Sequence, residues 1–212
     1  MSTMAEVKVM PYSEKYARVL EQHESGYRAV SPFVRERLGD GAVAELQEIM
    51  SEGVEPIPED ASDEEKYEIA YGNWILAAKR AYSFIRERLG EDGIEQFVRA
   101  EVEALKRKTS GPALLLLRLV RAVSPGYAFK MIAKRSLYET QWLVPYSDAE
   151  IAERKVEIYA PRCKILDFPG VDDICLVGCQ RAYPAWMAEQ LNVRMSFERR
   201  GNSCTITITP LG

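Results

Sequence analysis

Val193-Arg194-Met195-Ser196-Phe197-Glu198-Arg199-Arg200-Gly201-Asn202-Ser203-Cys204-Thr205-Ile206-Thr207-Ile208-Thr209 decides the fold class of this chain. Val193, Met195 and Phe197 alternate with Arg194, Ser196 and Glu198, the period of a half-buried strand. Cys204, Ile206 and Ile208 then alternate with three threonines, and Gly201-Asn202 between the two runs is a tight-hairpin pair. An antiparallel hairpin is expected, with Cys204 pointing inward.

Upstream of the hairpin the β signals continue. Val156, Ile158 and Ala160 alternate with wet neighbours, and Pro161 marks an edge or a bulge. Ser136–Val144 is rich in β-formers (Leu137, Tyr138, Thr140, Trp142, Val144), and Pro145-Tyr146-Ser147-Asp148 reads as a turn. Between strand and hairpin, Pro169-Gly170 is a turn and Asp172 or Asp173 is placed to cap a helix carrying Cys175 and Cys179. Pro184 falls inside that helix, where it would kink it. The last third thus reads strand, strand, helix, hairpin.

The front of the chain reads as helices. Ser13 precedes a helix with an apolar face of Tyr16, Leu20, His23 and Tyr27, and Ser31-Pro32 reads as a kink or restart. A short helix follows Gly39-Asp40-Gly41, and residues 52–61, with Pro56, Pro58 and several acids, form a loop. Ser62 with Glu65 makes a capping box for a helix ending at Leu89, stopped by Gly90. Further helices are predicted over about 93–108, from Pro112 to Val123, and from Pro125 to about Lys134. Phe33-Val34-Arg35-Glu36-Arg37-Leu38-Gly39 recurs as Phe84-Ile85-Arg86-Glu87-Arg88-Leu89-Gly90, which predicts two similar helix–Gly–helix hairpins or, alternatively, a duplicated anion-binding arginine pair. The fold class is α+β, with a helical region over 1–134 packed on a small antiparallel sheet within 135–212, together one compact domain.

Composition narrows the function. The 212 residues are 47% hydrophobic and 28% charged, ordinary globular values, with a net charge of −4 and a pI near 5.3. A nucleic-acid partner is not expected from that balance. The apolar run Ala113–Leu117 is too short to span a bilayer, so no membrane partner is expected. The first residues lack the charged and apolar regions of a signal peptide, which predicts a cytoplasmic protein with reduced cysteines.

All four cysteines, Cys163, Cys175, Cys179 and Cys204, lie in the last quarter. Three predicted elements carry them, which suggests convergence. The spacing C-x11-C-x3-C-x24-C lacks the paired knuckles of zinc ribbons. Thiolates from a helical C-x3-C, a strand end and the hairpin would suit zinc or another divalent metal, and a packed thiol cluster is the alternative.

The segments Pro161-Arg162-Cys163, Ile174-Cys175-Leu176-Val177-Gly178-Cys179 and Phe197–Cys204 resemble the C-terminal part of the L-2-amino-thiazoline-4-carboxylic acid hydrolase-like family. They are also similar to 4-vinyl-reductase-like small-molecule-binding domains. The resemblance implies Cys163, Cys175, Cys179 and Cys204 as metal ligands. It implies either a hydrolase acting on a cyclic amidine or other small carbon–nitrogen compound, or a non-catalytic metal-stapled sensor or carrier. The chain has Ala182 and Asn202 where hydrolase-type members carry acids.

Other candidates follow from residue chemistry. His23, the single histidine, and Asp173 are weak catalytic candidates against a core-edge and a capping role. Tyr127, Tyr138 and Trp142, with Phe129, fall where helices give way to the predicted sheet and are placed to line an apolar ligand pocket. Arg181, and less so Arg162, is placed to clamp a ligand carboxylate. Tyr67, Tyr71, Trp74 and Tyr82 line a long helix, as core or as a pocket wall. A redox pair of Cys175 and Cys179 ranks last, because redox folds use C-x-x-C. The hairpin edge and a helical face offer surfaces for a homodimer.

Overall fold

The computed structural model describes residues 3–4, 8–109, 111–144 and 148–211. They form an α+β fold in which helices fill the first two-thirds and an antiparallel sheet occupies the last third. The helices are α1 (Tyr12–Leu38), α2 (Asp40–Ser51), α3 (Asp63–Thr109), α4 (Pro112–Val123) and α5 (Pro125–Glu139). The strands are β1 (Thr3–Met4), β2 (Asp148–Ile151), β3 (Val156–Ala160), β4 (Val193–Arg200) and β5 (Ser203–Pro210), in the order β1-β2-β3-β5-β4, each neighbour antiparallel. An irregular helix over 174–191 joins β3 to β4.

The chain divides into two compact units. One consists of Met10–Ala104 and Phe168–Gly178, the other of the described residues of Met1–Val9, Leu105–Asp167 and Cys179–Gly212.

The helical unit is a duplication. Residues 12–38 lead through Gly39 into α2, and residues 63–89 lead through Gly90 into the second half of α3. Both glycines sit at positive φ with extended ψ (86°, 175° and 68°, −166°), a region closed to side chains with a Cβ. The break is therefore fixed by sequence. Each copy then bridges it in the same way: Arg35 Nε donates to Asp40 at 2.7 Å, and Arg86 Nε donates to Glu91 at 2.7 Å. The repeated arginines are thus structural staples, and Arg88 adds an ion pair to Glu45 across the two copies. Matching apolar residues, Val43 and Leu46 in one copy, Ile94 and Phe97 in the other, are buried. The Phe97 ring lies against Phe33 and Tyr82, with centroids at 5.3 and 5.8 Å.

Helix starts differ between the copies. The capping box forms as expected: the Ser62 N–H and hydroxyl donate to Glu65 Oε2 at 2.8 and 2.7 Å, and the Glu65 N–H donates back to Ser62 Oγ at 3.3 Å. At α1, Pro11 holds the N-cap position without a side-chain cap bond. The expected break at Ser31-Pro32 does not occur, and α1 runs through to Leu38. Burial of Ala29, Val30, Phe33 and Val34 along one side holds the helix despite the donor that Pro32 lacks.

In the sheet-containing unit the hairpin forms as read. Gly201 takes φ 61°, Phe197 pairs with Ile206 and Met195 with Ile208. Val156, Ile158 and Ala160 of β3 are buried opposite Ile208, Ile206 and Cys204. Ser136–Val144 is not a strand. Helix α5 continues to Glu139 and a 3₁₀ turn covers Thr140–Trp142. Ala128, Phe129, Ile132, Ala133 and Leu137 are buried at helical spacing, and that packing overrides the local β propensity. The strand preceding β3 is instead Asp148–Ile151. The turn read at Pro145-Tyr146-Ser147 lies outside the described residues. Among the described residues no helix is long and apolar enough to cross a membrane.

Candidate functional site

The helix over 174–191 is the most irregular element of the fold. Ile174–Ala182 is wound as a π-helix, Tyr183–Trp186 returns to α, and Met187–Leu191 is again π. Single π turns are the common form and they cluster at functional sites, so a nine-residue run is unusual. Pro184 sits at the start of the α turn, where its missing N–H costs least. Asn192 at φ 56° ends the helix in the left-handed conformation, and its backbone carbonyl accepts the Leu211 N–H at 3.0 Å.

The boundary between the compact units falls inside this helix, after Gly178. Cys175, buried, belongs to the helical unit, and its N–H donates to Val171 at 3.3 Å. Cys163, Cys179 and Cys204 belong to the sheet-containing unit. Cys163 is buried after β3, and its N–H donates to the Asn202 carbonyl at 2.7 Å, which ties it to the hairpin turn. Burial pushes the Cys163 thiol up, partly opposed by the backbone N–H groups of Ile165 and Leu166 and by Arg199. Cys204 is half-buried on β5 opposite Ala160 and Arg199, sharing a face with Ile206 and Ile208. Cys179 is half-buried on the π-helix. None of the four is joined in a disulfide. Among the described residues no three His, Cys, Asp or Glu side chains gather into a group that would hold a metal ion.

In the sheet-containing unit the group with the clearest electrostatic perturbation by neighbours beyond its own turn is Tyr183. The Tyr183 hydroxyl is pushed up to about 12, first by burial and then by the negative fields of Glu139 and Cys179. The Tyr183 ring packs on Trp186 at 5.1 Å, and the Trp186 indole N–H donates to Thr109 Oγ1 at 3.0 Å. Arg135 forms an ion pair with Glu139 one turn back on α5. The Tyr183 phenol thus lies within electrostatic reach of Glu139 and Cys179, with the Trp186 indole against its ring. Hydrogen-bonding groups there stand beside aromatic surface.

The remaining candidates are placed as follows. Tyr138 and Trp142 are half-buried, with Lys8 Nζ 5.8 Å above the Tyr138 ring, and Gln141 between them donates to the Lys8 carbonyl at 2.9 Å. Tyr127 is 61% exposed on α5. Arg181 is half-buried on the π-helix, and Arg162 pairs with Asp167 at 2.8 Å. Asp173 forms an ion pair with Arg86, the second arginine staple. The same carboxylate helps to raise the Arg86 guanidinium pKa, through that hydrogen bond above all. His23 is half-buried, and burial alone lowers its imidazole pKa. Tyr67, Tyr71 and Trp74 are buried and form a chain of ring contacts with Tyr12 and Phe168.

Three residues were not singled out from sequence. Tyr183 stands one turn beyond Cys179, so helical spacing was the available signal. Glu139 was hidden because its segment reads as strand. Glu101, in the helical unit, has Oε2 enclosed with no hydrogen-bond partner among the described residues, and burial raises its carboxyl to about 7. It occupies the position that the buried Met50 holds in the first copy of the repeat, and extending the repeat would have exposed it.

No family model matches the chain, and neither a curated protein nor a solved structure is found similar to it.

Proposed function

We propose that this protein is a small-molecule-binding domain that holds a partly apolar ligand without turning it over. Glu139, Cys179 and Tyr183 supply the polar recognition. The observation that carries the reading is the Tyr183 hydroxyl in the shared field of Glu139 and Cys179, at the α turn between two π-helical runs. The rest of the inventory supports binding over catalysis. Asp173 is paired with Arg86, and burial lowers the His23 imidazole pKa. Four cysteines outside any disulfide fit a reducing compartment, and we place the protein in the cytoplasm.

The test is a thermal-shift screen of the full chain against L-2-amino-thiazoline-4-carboxylate and other small heterocyclic acids, with product analysis in parallel. We expect a melting-temperature rise with at least one compound, no product, and loss of the shift in Tyr183→Phe. Ring opening that is lost in Cys179→Ser would instead make the protein a carbon–nitrogen hydrolase. Metal analysis of the native protein and of Cys179→Ser is expected to give substoichiometric metal in both.

A further inference from the structure

Helix α4 carries four of the large apolar residues that the fold leaves in solvent. Leu115, Leu116, Leu119 and Val123 are 61%, 60%, 58% and 88% exposed. At α-helical spacing they fall within an arc of about 100°, a continuous stripe along one side of the helix. None of the described side chains of α4 is buried, so the helix lies beside α5 as an outer ridge. On α5, Tyr127 at 61% and Met131 at 40% are also exposed. Scattered exposed leucines need no explanation, but a run of them on one helix face marks an interaction surface.

The charge around this ridge identifies the kind of surface that covers it. From Ala104 to Tyr138 the sequence has Lys106, Arg107, Lys108, Arg118, Arg121, Lys130, Lys134 and Arg135, and no acidic residue, in a chain whose net charge is −4. Lys106 and Arg135 are paired with Glu189 and Glu139, and Arg118 donates to Gln190 at 3.2 Å. Arg121, Lys130 and Lys134 form no ion pair among the described residues. A second copy of the chain set on the same stripe by a two-fold axis would bring these cations against their own copies. An exposed stripe of Leu and Val, with Tyr127, Lys130 and Lys134 on the adjoining helix, has the make-up of a helix lying in the plane of an anionic bilayer surface. Such a helix needs no spanning length, so the absence of a membrane-crossing helix does not bear on it.

We propose that α4, with α5 beside it, docks the protein on an anionic phospholipid surface, the stripe entering the headgroup boundary and Lys130 and Lys134 meeting lipid phosphates and carboxylates. The test is sedimentation of the full chain with vesicles of phosphatidylcholine alone and with about one-third phosphatidylserine, at low and high salt. Binding to the mixed vesicles should exceed binding to neutral ones by about ten-fold or more, and should fall as salt rises. The exposed-site variants Leu116→Gln/Leu119→Gln and Lys130→Glu/Lys134→Glu should each lower it by about ten-fold. Both should keep the native circular dichroism and melting temperature. Equal binding to both vesicle types, or none to either, overturns the proposal. So does a concentration-dependent dimer that Leu116→Gln/Leu119→Gln dissolves, which would assign the stripe to a second copy.

Discussion

The two copies of the helix–Gly–helix repeat share a backbone and a staple, yet they differ at three places. The second copy opens with a capping box, where the first opens on Pro11. Its arginine staple holds a second carboxylate, Asp173, where Arg35 holds Asp40 alone among the ion pairs of that residue. It also places a carboxylate, Glu101, where the first copy places Met50. The comparison separates what the motif must do, which is to turn a helix at glycine and clamp the turn, from what one copy has added. A staple between exposed ends contributes little by itself, so its recurrence reflects the geometry of the break more than its energy.

The largest expected effect concerns Glu101. Its folded carboxyl titrates near 7 and its unfolded one near the ordinary 4.5, so the folded state binds the proton more tightly. Stability from this group is full below about 4.5 and declines as pH rises to about 7, above which the buried charge costs about 3 kcal/mol. Glu101→Met, which restores the residue of the first copy, should therefore raise the melting temperature at pH 8 and change it little at pH 4. Urea melts at the two pH values check this, and an equal gain at both would show that packing, not charge, is responsible.

The staples come next. Arg86→Ala removes the pairs to both Glu91 and Asp173 and should cost about 1–2 kcal/mol. Arg35→Ala, whose pair is exposed, should cost less than about 0.5 kcal/mol. Equal losses in parallel denaturant titrations would contradict the idea that Asp173 is a structural partner of the second copy. At the helix start, Ser62→Ala should cost about 1 kcal/mol or slightly less, given the exposure of the cap. It should also increase amide exchange in the first turn of α3 alone, leaving α1 unaffected.

Much of this was legible in sequence because it is local. Alternation with a Gly-Asn pair between the runs yields the hairpin, and Ser62 with Glu65 yields the cap. The paired FxRERLG segments yield two hairpins, since only glycine takes the backbone at residues 39 and 90 without strain. Register followed too, because a slip by one residue would turn Ile206 and Ile208 to solvent. What failed was non-local. Pro32 stays helical and Ser136–Glu139 is helix because buried neighbours outweigh proline and β-propensity costs of a few kcal/mol at most. The setting of Tyr183 escaped notice because Glu139 and Cys179 are far apart in the chain, and their fields meet at Tyr183 only in the folded unit. The cysteines mark the limit most plainly. Their clustering in the last quarter is a property of the sequence, but whether four sulfurs meet depends on how a π-helix, a strand end and a hairpin are set in space. The sequence by itself determined the α+β class, the duplication and the hairpin, each through spacing along one segment. Tertiary structure alone decided which thiols, phenols and carboxylates became neighbours, because their fields and hydrogen bonds act through space and not along the chain.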